Sequence, residues 1–157
     1  MSLQKLWEKY RQETVFNYSV LPEELRKKGE CLELDARCMI VSRGEFPHWI
    51  YFILEGTVTG IRENADGNEY SYFQLDKQNG SIGLLEILAR KDRYIATIVS
   101  TTKVKLLRIE AEVIYEAIME DKSLLRRSMS LLAEDLYQRS GKEGILYYFQ
   151  GIDRVRY

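Results

Sequence analysis

The sequence predicts a mainly β domain, a sandwich or a barrel, with helices packed at either end. Short runs rich in β-branched and aromatic residues follow one another between residues 31 and 110, separated by turn residues. No long helical stretch alternates with them, which argues against a parallel doubly wound sheet. The flanking segments, 1–30 and 111–142, change to helical periodicity.

The elements follow in order. Leu3, Leu6, Tyr10, Val15 and Tyr18 recur near a 3.6 period among charged neighbours, so residues 3–29 read as helix with a break. Pro22 suits the first turn of a second short helix, "PEELRKKG", which Gly29 ends. The β runs are "CLELDA", "CMIVSRGE", "WIYFILEG", "TVTGIRE", "EYSYFQL", "YIATIVS" and "KVKLLRI". "LEG" at 54–56 is a tight turn, and "ENADGNE" at 63–69 is a hairpin tip in which Asp66-Gly67 supplies positive φ.

After residue 110, "EAEVIYEAIME" reads as a short amphipathic helix. "DKS" then offers Asp121 or Ser123 as N-cap for a longer one, "LLRRSMSLLAEDLYQRSG". In it Leu125, Met129, Leu132 and Leu136 step by 4, 3 and 4, an a/d seam of under two heptads. Leu124 and Leu131 form a second apolar edge. Spacing alone leaves two readings open, a helix packed on its own β domain and a two-fold dimer seam. The end, "ILYYFQGIDRVRY", is aromatic where terminal tails are usually polar, and is expected to pack against something.

Composition narrows the function classes. The chain has 157 residues, 45% of them apolar, which is one ordinary domain with an adequate core. Its 23 basic and 24 acidic residues leave a net charge of −1, too little to draw nucleic acid or an anionic membrane. No run approaches a membrane span, and the first residues lack the apolar core of a secretory signal, so a cytoplasmic protein is expected. Cys31 and Cys38 are expected to be buried free thiols. With His48 as the lone histidine, no metal site and no catalytic constellation can be assembled, and an enzyme is not expected. His48, beside Pro47, reads as a solvated turn residue rather than a haem ligand.

The run "RGEFPHWIYFILEGTVTGIRENADGNEYSYFQL" (43–75) closely resembles the β-roll of the Crp/Fnr superfamily, the cyclic-nucleotide-binding-like domains. "GSIGLLEIL" resembles that family's phosphate-binding cassette, "YIATIVSTTKVKLLRI" its closing strands, and 111–140 its last two sensor helices. The resemblance covers about residues 18–149. It implies an eight-stranded double-stranded β-helix of the jelly-roll kind over 31–110, flanked by helices. It also implies that the 123–140 helix forms a homodimer, with Leu125, Met129, Leu132 and Leu136 at the seam. DNA contact is expected only through a C-terminal helix-turn-helix domain that this chain lacks, of which 143–157 resembles the cut-short beginning.

In nucleotide-binding members of the family, a cassette glycine lets the backbone approach the ligand and the following carboxylate takes the ribose hydroxyl. An arginine and a neighbouring hydroxyl hold the phosphate. Aligned without gaps, Gly83 keeps the glycine, but the carboxylate position falls on Leu84, the arginine position on Tyr94 and the hydroxyl position on Ile95. Each lost charged hydrogen bond is worth about 1.5–3 kcal/mol. Losing two weakens binding by about 100-fold or more. Arg93 points to the opposite strand face from Tyr94, Arg90 and Lys91 belong to a charged loop, and Glu86 comes two residues late for the ribose.

The expected effector pocket, a degenerate cassette, is Gly83, Leu84, Leu85, Glu86, Tyr94, Ile95 and Ala96. Either Leu84, Tyr94 and Ile95 fill it, or it is a small, mostly apolar pocket with the Tyr94 hydroxyl as handle, suited to an apolar or aromatic effector. Tyr70, Tyr72 and Phe73 lie on a strand that can reach the same cavity. The function expected is the effector-sensing and dimerisation domain of a transcription regulator that does not answer to cyclic AMP. The alternative is a stand-alone interaction module without DNA binding. No cofactor is expected.

Overall fold

The computed structural model describes residues 1–140 apart from 64, 65 and 68, with the backbone alone at 62, 63 and 69–72. The expectations for 143–157 therefore lie outside the described residues.

The β segment forms two four-stranded antiparallel sheets. One has the order β1 (Glu30–Leu34), β8 (Val104–Glu110), β3 (Trp49–Glu55), β6 (Ser81–Ile82). The other has the order β2 (Met39–Val41), β7 (Thr97–Ser100), β4 (Val58–Glu63), β5 (Glu69–Leu75). The chain crosses between the sheets repeatedly, the topology of a jelly-roll β-roll. β6 is the strand with no counterpart among the runs read from sequence; two residues are too few for an alternation to show.

Strands β3 and β8 are buried on both faces because they separate two cores. Ile50, Phe52, Leu107 and Ile109 face a layer of helices, where they meet Phe16, Leu25, Ile114 and Ile118. Tyr51, Ile53, Val104 and Leu106, one residue out of phase, face the interior of the roll with Val58 and Ile98. This two-sided burial explains the nearly continuous apolar run "WIYFIL". In the second sheet the β4–β5 register shifts after Gly60, where an added Cβ would lie 2.1 Å from the Phe73 ring. Phe73 is half-buried against the roll interior, and the side chains of Tyr70 and Tyr72 lie outside the described residues.

The N-terminal segment comprises α1 (Leu3–Lys9), a 3-10 turn at Tyr18–Val20 and α2 (Glu23–Lys27). Pro22 is the N-cap of α2 rather than a member of its first turn. Helices α3 (Leu84–Leu88), α4 (Ala111–Glu120) and α5 (Lys122–Ser140) complete the fold. Of the two cap candidates for α5, Asp121 is the one used. Its carboxylate accepts the Ser123 and Leu124 backbone N–H groups at 2.8 and 3.2 Å. Both cysteines are free thiols, but Cys31 is exposed and Cys38 half-buried, which corrects the expectation of burial. Cys31 sits on the edge strand β1 with its side chain exposed.

Candidate effector site

The cassette begins at Gly83, whose φ of +98° is the left-handed conformation that L side chains rarely adopt. A Cβ there would stand 3.0 Å from both the Trp49 carbonyl oxygen and the Ile50 Cδ1. The glycine is thus required by its own protein, whatever it faces. Helix α3 follows with only five residues. Leu84 is buried, but in the helix-side core and not inside the roll. Leu85 is 44% exposed.

Glu86 is a buried carboxylate at 7% exposure. It accepts the Ile95 backbone N–H at 3.1 Å, and its own carbonyl accepts the Lys91 N–H at 2.9 Å. It ties both ends of the connecting loop to α3. Sequence reading missed this role, which depends on the chain reversing over nine residues. Within the loop Arg90 takes φ of +59°, while Lys91 and Arg93 are exposed and Arg93 pairs with Asp92 at 3.3 Å.

Tyr94 then enters the roll. Its N–H donates to the Glu45 carbonyl at 2.9 Å, and its carbonyl accepts the Gly44 N–H at 3.0 Å. The side chain is 3% exposed, packed in the interior core, and its hydroxyl donates to the Trp49 carbonyl at 2.7 Å. Burial pushes the phenol well above its ordinary range, reinforced by the neighbouring Tyr51. The Tyr51 hydroxyl is likewise raised by burial. The expected polar handle is therefore already engaged.

Ile95 is 44% exposed, and Ala96 is buried again. Of the residues expected to fill the pocket, only Tyr94 lies inside it. Leu84 and Ile95 depart from that expectation, because α3 turns Leu84 into the helix-side core and Ile95 lies in the bend before β7, where it is exposed.

Arg108 lies on the same face of β8 as Leu106 and so turns toward the mouth of the roll. Its terminal nitrogen is matched, while its Nε is buried with no hydrogen-bond partner among the described residues. Arg108 donates to Glu30 at 3.1 Å and lies 4.2 Å over the Trp49 ring. Glu30 also holds the guanidinium in its charged form. A cavity of about 440 Å³ beside the cassette lies outside the roll, lined by Phe46, Pro47, Ile87, Arg90, Ala111 and Tyr115 among others. Neither Gly83 nor Tyr94 lines it. His48 is an exposed turn residue whose ring leans on Phe46 with centroids 4.7 Å apart. Its carbonyl accepts the N–H of Ala111, the first residue of α4, at 2.8 Å. Among the described residues no group of three or more His, Cys, Asp or Glu side chains is placed to hold a metal.

Helix α5 divides its apolar residues between two faces. Leu124 and Ser128 are buried and Leu131 packs against the helix-side core. Leu125, Met129 and Leu136 are 42%, 63% and 60% exposed, and Leu132 is half-buried.

No curated protein matches the chain at the level of sequence. Solved structures do resemble it in fold. A transcriptional regulator from Thermotoga maritima superposes with a TM-score of 0.68 at 18% identity, covering 81% of this chain and 95% of that one. The sensor domain of the transcriptional regulator DNR from Pseudomonas aeruginosa gives 0.68 at 18%, covering 92% and 97%. The catabolite activator protein of Thermus thermophilus gives 0.68 at 19%, covering 83% of this chain and 62% of that one. The first two of these neighbours are described as transcriptional regulators. The sequence profile of the cyclic nucleotide-binding domain matches residues 31–121, from the first β strand to the cap of α5, which is more than half of the chain. By that match the chain belongs to the cyclic nucleotide-binding domain family.

Proposed function

We propose that the chain is the sensory and dimerisation part of a Crp/Fnr-type transcription regulator, with a pocket that does not take cyclic nucleotides. The observation that carries this is Tyr94. Where the family's phosphate-holding arginine would stand is a buried, neutral phenol already bonded to the Trp49 carbonyl. A cyclic phosphate would have to displace that ring and lie beside apolar neighbours, a desolvation cost that Arg108, already paired with Glu30, does not offset. The space suits a small apolar or aromatic effector that takes the place of the Tyr94 ring. Such a molecule would act by biasing the geometry of two α5 helices, a population shift and not a chemical step. Reading DNA belongs to another domain of that regulator, since a net charge of −1 provides no basic stripe here.

Calorimetric titration with cyclic AMP and cyclic GMP tests the pocket. No heat of binding is expected up to millimolar nucleotide, and saturation at micromolar concentration overturns the reading. For the dimer, the exposed seam of α5 supports association. Leu132→Glu with Leu136→Glu should convert dimers to monomers in sedimentation velocity; an unchanged mass removes the seam.

A further inference from the structure

Helix α1 is seven residues long, well below the length at which an isolated helix holds in water, and none of its residues is buried. Yet it and the following turn expose Leu3, Leu6, Trp7 and Tyr10, with Trp7 at 62%. An apolar helix face left this open asks for further cover.

The segment is held in a definite place. Arg126 of α5 donates from Nε to both carboxylate oxygens of Glu13, at 3.0 and 3.1 Å, and its guanidinium lies 4.9 Å from the centre of the Tyr10 ring. Arg127 donates to the Gln12 and Val15 carbonyls at 3.2 and 3.3 Å. These two adjacent arginines fasten the connection after α1 to the first turns of α5. Between them runs a groove of about 580 Å³, with Leu6, Trp7 and Tyr10 on one wall and Arg126 and Met129 on the other.

Met129 belongs both to this groove and to the 4-3-4 seam of Leu125, Met129, Leu132 and Leu136. That spacing is self-complementary, the pattern that selects a second helix of the same sequence. Whatever lies along the seam also lies along Trp7. Arg126, beside Leu125 at the edge of the seam, is paired with Glu13 of its own chain.

We propose that α1 and α5 form one composite face for a second copy of this chain, with Trp7 packing against the α5 of the other copy beside the seam. This rests on the reading that α5 dimerises. The consequence is an arm: each protomer's N-terminal helix is completed by its partner.

Sedimentation equilibrium of the full chain, with and without Trp7→Glu, tests it. The dissociation constant should rise at least tenfold in Trp7→Glu, with an unchanged thermal melt of the monomer, since Trp7 contributes nothing to the buried core. In a Trp49→Phe background, where Trp7 is the remaining tryptophan, emission should shift to longer wavelength on dilution through that constant. A dimer with the same constant in Trp7→Glu, or a Trp7 emission independent of dilution, overturns the proposal and leaves the α5 seam standing. A wild-type chain that stays monomeric at 100 μM overturns both.

Discussion

Replacing Tyr94 with alanine should open the space that this residue occupies. The substitution removes a fully packed ring, worth about 3–5 kcal/mol in comparable core truncations. It also orphans the Trp49 carbonyl, for about 1 kcal/mol more. At about 2–4 °C per kcal/mol for a chain of 157 residues, the melting temperature should fall by roughly 8–24 °C. Tyr94→Phe keeps the ring and loses only the hydroxyl bond, so its fall should be about 2–6 °C. The void left by alanine lies beside Gly83 and within an apolar core, so it should accept phenol. With an affinity of about 0.1 mM, 1 mM phenol would restore about 1.4 kcal/mol, or roughly 3–6 °C. The assay is a thermal melt by circular dichroism of wild type and both variants, with and without phenol. If Tyr94→Ala melts within 2 °C of wild type, or phenol moves wild type and variant equally, Tyr94 does not occupy the effector space.

Three further outcomes follow from the cassette. Gly83→Ala should cost about 1–2 kcal/mol for the left-handed conformation alone, and more through its crowding of the Trp49 carbonyl, read as a lower urea midpoint with an unchanged slope. Glu86→Ala removes a charge-assisted bond and should cost about 1.5–3 kcal/mol; the Ile95 amide should lose hydrogen-exchange protection more than the amides of β1 do. The folded-state pKa of Tyr94 lies above its unfolded value, so its contribution is intact below about pH 10 and is lost as pH rises beyond it. Wild type should therefore lose stability above pH 10 more steeply than Tyr94→Phe, in urea melts at pH 9 and pH 11; parallel losses would remove Tyr94 as the cause.

Much of the fold could be read from residues because its strands are distinctive. The unbroken apolar run of β3 reflects a strand buried on both sides, and Gly56 and Gly67 mark turns that take positive φ. The division of α5 into an inward edge, Leu124 and Leu131, and an outward one, Leu125 and Met129, was visible as two stripes. The site was less legible. Aligning Leu84, Tyr94 and Ile95 with binding positions assumed that all three point inward. Leu84 instead sits in the helix-side core, and the bend before β7 sends Tyr94 in and Ile95 out. Glu86 and the Arg108–Glu30 pair gave no local signal, since their partners lie 9 and 78 residues away. Nothing in the spacing of Leu3, Leu6 and Tyr10 distinguishes a helix packed inward from one with no buried residue.

The entry to β3 is gripped from two directions. The Trp49 carbonyl holds the Tyr94 hydroxyl, and the carbonyl of His48, one residue before it, holds the first N–H of α4. The cassette and the start of the helical hairpin thus hang from neighbouring links of one chain. A guest that evicted the phenol ring would slacken the link beside the one from which α4 is suspended. The amide of Ala111 is where that slack would first be felt.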